Sequence, residues 1–312
     1  MRFSIYQESK RGGRKINQDR MGYSYTKDCL MVVLCDGMGG HMQGEVAAQL
    51  AVQTIGLEFQ KAADTTIANP KQFLEDSMMA AHIEIHRYRA GRGLPESPRT
   101  TAVTCVIQGG MAWWAHAGDS RLYLIRNGEI KAVTRDHSQL EAMIADGMLD
   151  DKDRSEFPDR NRLFNCLGAP AMPMIELSDP IRLEPGDHIL ICSDGLWGTV
   201  ADNLIAAAFR TNSVMRVVPE LINYALMEAG ASSDNVTAIG LTWEGDDGDT
   251  VIGPDSFDTT KIESAAFRST IQLPRKPPTA ADHEMTDDEI ETAIAEIRRA
   301  IAKTNKTLPP KT

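Results

Sequence analysis

Residues 31–45 read MVVLCDGMGGHMQGE. An apolar run ends on Asp36, and Gly37, Gly39, Gly40 and His41 follow almost at once. A glycine-rich turn after a strand usually suggests a phosphate cradle. Here the turn opens with an acid, which repels phosphate, and neither a Gly-Lys-Ser/Thr ending nor GxGxxG spacing is present. The same arrangement recurs at residues 190–195, LICSDG, where an apolar run leads to Asp194 and Gly195. Short continuous apolar runs such as LMVVLC and HILIC indicate strands buried on both faces.

Three further aspartates take similar positions. Asp119 lies in a tight turn within HAGDSRLYL, Asp234 precedes the strand pattern of SSDNVTAIGL, and Asp19 in INQDR stands just before the predicted first strand. One Asp-Gly pair is ordinarily a turn and nothing more. Five carboxylates gathered at one end of a sheet would repel each other unless cations lay between them. Hard divalent ions such as Mg²⁺ and Mn²⁺ take carboxylate, carbonyl and water oxygens without any need of His or Cys.

The remaining pattern sets the fold class. TAVTCVIQ and MAWWAHAG are rich in β-branched and aromatic residues, with Trp113 and Trp114 expected to pack in or against a sheet. RLYLIRNGEIKAV reads as a hairpin turning at Asn127-Gly128. Helical periodicity runs from Glu45 to about Lys61, from about Lys71 to Arg89 and from about Ser213 to Glu228. Strands come in runs with no βαβ alternation, which predicts an α+β fold of two packed sheets covered by helices. His82 and His86 have i, i+4 spacing but no HExxH pattern, and read as helix-surface residues.

Composition narrows the function. In 312 residues a net charge of −11 argues against a nucleic-acid footprint. Five cysteines, an odd number without CxxC spacing, argue against a disulfide scaffold or zinc ribbon. No run approaches the roughly 18 apolar residues of a membrane span, so the expectation is a reduced, cytoplasmic protein without membrane or nucleic-acid partners. Cys192 lacks the nearby arginine of a cysteine phosphatase, and no GxSxG elbow occurs.

The pattern changes after Trp243. Residues 1–243 read as one domain, residues 244–285 as a flexible linker with Thr259, Thr260, Ser269 and Thr270 open to kinases, and residues 286–303 as an amphipathic helix. In that helix Thr286 and Glu289 have capping-box spacing, and Ile290, Ile294, Ile297 and Ile301 share one face. Such a face has to bury itself on its own domain or on a partner.

Taken in order, the blocks GGRKINQDR, VVLCDGMGGHMQGEVAA, RTTAVTCVI, AHAGDSRLYLIRNGEI, TRDHS, NCLGA, LEPGDHILICSDGLWGTV and SSDNVTAIGL closely resemble the metal-dependent phosphatases of the protein phosphatase 2C type in their bacterial form. The resemblance covers residues 1–243. It implies a central β-sandwich of two antiparallel sheets flanked by helices, with two divalent cations, Mn²⁺ or Mg²⁺, and a third, weaker ion. By motif position, Asp36 would bridge the two ions and the Gly37 carbonyl would bind the first. Asp194 and Asp234 would hold the second, Asp119 the third, and Asp19 would act through water. Arg14 would bind substrate phosphate.

The implied activity is hydrolysis of phosphoserine and phosphothreonine on proteins by metal-activated water, reversing a bacterial Ser/Thr kinase. That kinase and its phosphoprotein substrates would be the partners, and the tail helix a further docking element. Two alternatives share the resemblance: a signalling protein that uses the phosphatase fold to bind a partner, and a phosphatase dedicated to one regulatory phosphoprotein. This chain departs from the family at Gln18, where Glu is usual, and at Met38, where animal members carry a histidine. Residues 138–165 correspond to the family's variable flap, and His41 has no assigned role.

Overall fold

An alternation hidden inside the apolar runs decides how the layers stack. The computed structural model describes residues 1–38, 43–149, 162–245, 256–259 and 268–269. In β3 (Cys29–Asp36), Cys29, Met31, Val33 and Cys35 face a helical layer. Leu30, Val32 and Leu34 face the opposite sheet. In β10 (His188–Cys192), Ile189 and Ile191 point between the sheets while Leu190 and Cys192 point outward to helices. Both faces are covered, so no polar residue interrupts either run.

One sheet is built from β1 (Arg2–Lys10), β11 (Val236–Gly245), β10, β6 (Arg121–Arg126) and β7 (Glu129–Val133), with β12 (Ser256–Asp258) on the outer side of β1. The second contains β2 (Asp19–Tyr25), β3, β4 (Ala102–Gln108), β5 (Met111–Ala117) and β8 (Glu176–Leu177), with β9 (Ile181–Arg182) also on β5 and β13 (Arg268–Ser269) beyond β2. All pairings in both sheets are antiparallel. Helices α1 (Gly44–Ala62) and α2 (Pro70–Arg92) cover the second sheet. Helices α4 (Asp194–Trp197), α5 (Asp202–Ala208) and α6 (Val214–Ala229) cover the first, and the short α3 (Gln139–Ala145) follows β7. The expected α+β sandwich between helical layers is therefore the fold.

Local chemistry agrees with these boundaries. Asn69 caps α2 by accepting from the Gln72 amide, Pro70 occupies the first turn, and Gly93 closes the helix in the left-handed region. Asn127 and Gly128 both have positive φ, as the hairpin turn requires. Trp114 is buried between the sheets and Trp113 packs against the helical side. All five cysteines are free and buried.

Three expectations need correction. β1 precedes the predicted first strand, so Asp19 opens the second strand of the fold. His82 is buried and accepts from the Gly168 amide, while His86 bonds the Ala169 carbonyl, so the pair anchors a loop instead of lying on the surface. The linker expectation fails at residues 256–259 and 268–269, because β12 and β13 pair with strands that would otherwise be bare sheet edges. Thr259 is fully buried, not open to a kinase. Its amide donates to the Met1 carbonyl, and its hydroxyl lies 2.8 Å from that carbonyl oxygen and 2.6 Å from the Lys27 carbonyl oxygen. Thr260, Thr270 and the 286–303 helix fall outside the described residues.

Replacing Thr259 by Val keeps the shape and the amide bond to the Met1 carbonyl but takes the hydroxyl donor from the Lys27 carbonyl. Thr259→Val is expected to lower stability by about 1–3 kcal/mol. Urea unfolding would measure it, and an unchanged midpoint would mean that this clasp carries no stability.

Candidate metal centre and active site

The loops at one end of the sandwich bring together every acid singled out above. Asp19 and Asp36 lie directly opposite one another in the β2–β3 ladder. Asp119 sits in the β5–β6 turn, Asp194 opens α4 just after β10, and Asp234 stands two residues before β11. Arg14, in the β1–β2 loop, reaches Asp234 with Nη2 2.6 Å from Oδ2.

Glycine follows Asp36 and Asp194 because other backbone passes there. A Cβ on Gly37 would lie 2.3 Å from the Gly44 carbonyl oxygen, and one on Gly195 would lie 2.0 Å from that of Asn235. Each Asp-Gly pair thus clamps a neighbouring segment against the acid it follows.

Electrostatics report how crowded the carboxylates are. Burial, and then the charges of Asp19, Asp194 and Asp119, hold the Asp36 carboxyl well above the usual range. Asp119 is raised well above it too, by burial and then by Asp194 and Asp136. Asp194 is pushed up to about 7 by burial, Asp234 and Asp19. Asp19 is raised chiefly by its burial. One of its oxygens accepts from Ser193 at 2.9 Å, and the other, Oδ1, is buried without a hydrogen-bond donor among the described residues. A set of clustered carboxylates with an orphaned oxygen and a nearby glycine carbonyl is a donor set for hard divalent cations.

Several residues that hold this end together are silent in a reading based on charge. Thr101 Oγ1 accepts from the Asp36 amide at 3.0 Å, and Thr100 Oγ1 donates to the Asp36 carbonyl at 2.8 Å. Ser193 Oγ joins Asp19 to the Thr237 amide. Asn235 accepts from the Gln18 amide and donates to the Arg11 and Ile16 carbonyls, pinning the loop that carries Arg14. Trp197 Nε1 donates to the Asp119 carbonyl at 2.9 Å. Ser193, Trp197 and Asn235 stand near acids inside the quoted blocks, whereas Thr100 and Thr101 lie in RTTAVTCVI, which holds no acid. Gln18 turns its amide toward Glu45, at 3.3 Å. His41 falls outside the described residues.

A second grouping, His116, His137 and Glu176, also has ligand-type atoms within 4.8 Å of one another. The Asn165 amide is oriented by two bonds to the Met174 backbone, so its Nδ2 donates to His137 Nδ1 at 2.6 Å. His137 Nε2 therefore carries the proton and faces Glu176 at 3.2 Å. His116 stacks on His137 and donates to the Arg135 carbonyl. This group ties β5 to the segment before α3, and the amide of Gly118, the neighbour of Asp119, also donates to His137 Nδ1 at 3.2 Å.

With fold and site described, the family follows. The family model for protein phosphatase 2C matches residues 7–229. The chain belongs to the protein phosphatase 2C family. Similar proteins include the serine/threonine protein phosphatase PstP of Mycobacterium tuberculosis, 29% identical over 74% of this chain and 43% of that protein. The crystal structure of the serine/threonine phosphatase Stp1 from Staphylococcus aureus superposes with a TM-score of 0.70 at 26% identity, covering 77% of this chain and 95% of that one. The catalytic domain of PstP in complex with two manganese ions superposes with a TM-score of 0.64 at 26% identity, covering 77% and 98%. No helix among the described residues is long and apolar enough to cross a membrane.

The raised carboxylates set a pH dependence. Between about pH 4 and 7 the folded chain keeps protons at this cluster that the unfolded chain has released, so stability without cations falls as pH rises. Cations compete with those protons. The gain in Tm on adding Mn²⁺ to chelator-treated protein is expected to be larger at about pH 7.5 than at about pH 5.5. A gain independent of pH, or none, would show that the cluster is not where the ion binds.

Proposed function

We propose that this chain is a Mn²⁺- or Mg²⁺-dependent phosphatase of phosphoserine and phosphothreonine on proteins, opposing a bacterial Ser/Thr kinase. The observation that carries the reading is the convergence of Asp19, Asp36, Asp119, Asp194 and Asp234 with Arg14 at one end of the sandwich. Asp36, the Gly37 carbonyl, Asp194 and Asp234 would hold two cations. Asp119 would hold a weaker third, and Asp19 would act through water. When bound, such ions supply positive charge for the phosphate and an acidified water as nucleophile.

The chain's own residues do the rest. Arg14 presents a planar, permanently charged fork that suits two phosphate oxygens and fixes the angle of approach. Asp19, held by Ser193, would orient water and accept its proton. No side chain needs to form a covalent intermediate. Burial pushes the Cys35 and Cys192 thiols far above their ordinary range, so both stay protonated and unreactive. Five buried, unpaired cysteines also favour a reducing compartment, and we place the protein in the cytoplasm.

Phosphate release from a phosphothreonine peptide is expected with Mn²⁺ and not with chelator. Asp36→Ala or Asp194→Ala should lower kcat on the order of a hundredfold or more. Arg14→Ala should lower kcat/KM about tenfold or more, a lost charge-assisted hydrogen bond. Metal-independent release, or full activity in Asp36→Ala, would overturn the proposal.

A further inference from the structure

A cleft of about 780 Å³ runs outward from the aspartate cluster. Asp194 and Asp234 line it at the cluster, Trp197 and Asp202 come from the α4–α5 side, and Asp136 and Glu141 from the β7–α3 side. Its size and position suit a stretch of polypeptide on one side of a phosphorylated residue.

Among the described residues, Arg121 is shared unequally between two acids of this cleft. Arg121 lies over the Trp197 ring at 3.6 Å and donates twice to Asp136, both at 2.8 Å. Its remaining nitrogen, Nη1, is 3.1 Å from the Tyr123 hydroxyl and 3.4 Å from Asp202 Oδ1. Tyr123 donates to that same Oδ1 at 2.9 Å, so the Asp202 carboxylate is held in place. One guanidinium thus faces two carboxylates. The buried one, Asp136, takes the bidentate bonds, while the Asp202 side chain stays 46% exposed. Arg135 and Glu141, which also line the cleft, offset each other in formal charge.

Positive charge enters at the cluster end of the cleft, where Arg14 of the β1–β2 loop bonds Asp234 at 2.6 Å and Asn235 pins that loop. A positive side chain is disfavoured beside Arg14 and favoured beside the half-exposed Asp202.

We propose that this cleft binds the polypeptide flanking the phosphorylated residue, and that Asp202 selects a cationic side chain, Arg or Lys, on one flank only. The proposal rests on the phosphatase reading above. Asp194 and Asp202 are eight residues apart across α4 and a short connection, a span on the order of 10 Å. At about 3.3–3.6 Å per extended residue, the selected side chain lies about two to four positions from the phosphorylated residue.

The test compares phosphothreonine peptides with neutral flanks, with Arg about three positions before the phosphothreonine, and with Arg about three positions after it, all with Mn²⁺. One of the two Arg peptides is expected to exceed the neutral peptide in kcat/KM by about three- to tenfold, fading at high salt. Asp202→Asn, which keeps an acceptor for Tyr123, should bring that ratio near one. Asp202→Lys should reverse it, so that Glu at the same position becomes the favoured residue, an inversion that misfolding cannot produce. Equal rates on all three peptides, equal gains on both flanks, or an unchanged ratio in Asp202→Asn would overturn the inference while leaving the phosphatase reading intact. Phosphate release from none of the peptides would overturn the phosphatase reading and this inference with it.

Discussion

Five carboxylates pressed together at the end of a sandwich repel one another, and the rest of the architecture is what keeps them there. Burial first, and then that repulsion, holds Asp36, Asp119 and Asp194 above the ordinary carboxylate range. Surface loops would relieve it by moving apart. These loops cannot, because each acid lies at or within two residues of a strand or helix end, and backbone bonds from Thr100, Thr101, Ser193 and Asn235 tie the ends to each other. An arrangement that resists its own charge in this way is already shaped for cations before any arrive.

That restraint is transmitted inward by hydrophobic packing. Three apolar layers, one between the sheets and one under each helical layer, keep the strands in register. A slip of one residue in β3 would exchange Leu34 and Cys35 between layers and turn Asp36 away from Asp19. Site geometry and core packing are therefore one constraint seen from two ends.

Much of this was legible because the relevant signals are local. Apolar runs ending in Asp-Gly marked β3 and β10 and their acids, and Asn127-Gly128 marked a hairpin. β1 escaped notice because only Phe3 and Ile5 mark its inner face within a mostly polar RFSIYQESK. The clasp at residues 256–259 looks like linker in the sequence because its pairing depends on the edge of β1, some 250 residues earlier, and nothing in SFDT itself declares that partner. His82 looked like a surface residue because helical spacing says nothing about a loop arriving from residue 168. Bonding acids were readable from type and position, whereas the Ser, Thr and Asn residues that restrain them became meaningful only when distant strands met.

The pairing of β1 with β11 has a consequence for how the protein comes into being. Lys10 sits opposite Val236, so the first strand finds its central neighbour only after more than two hundred intervening residues exist. Arg14 and Asp19 belong to the early end of the chain, and Asp234 to the late end. Contacts of such long sequence separation form slowly, since a large loop must close before they contribute. A ribosome-bound chain that has not reached β11 lacks Asp234 and the strand that locks β1, and so cannot assemble the full set of acids. The topology withholds the site until synthesis of the domain is nearly complete.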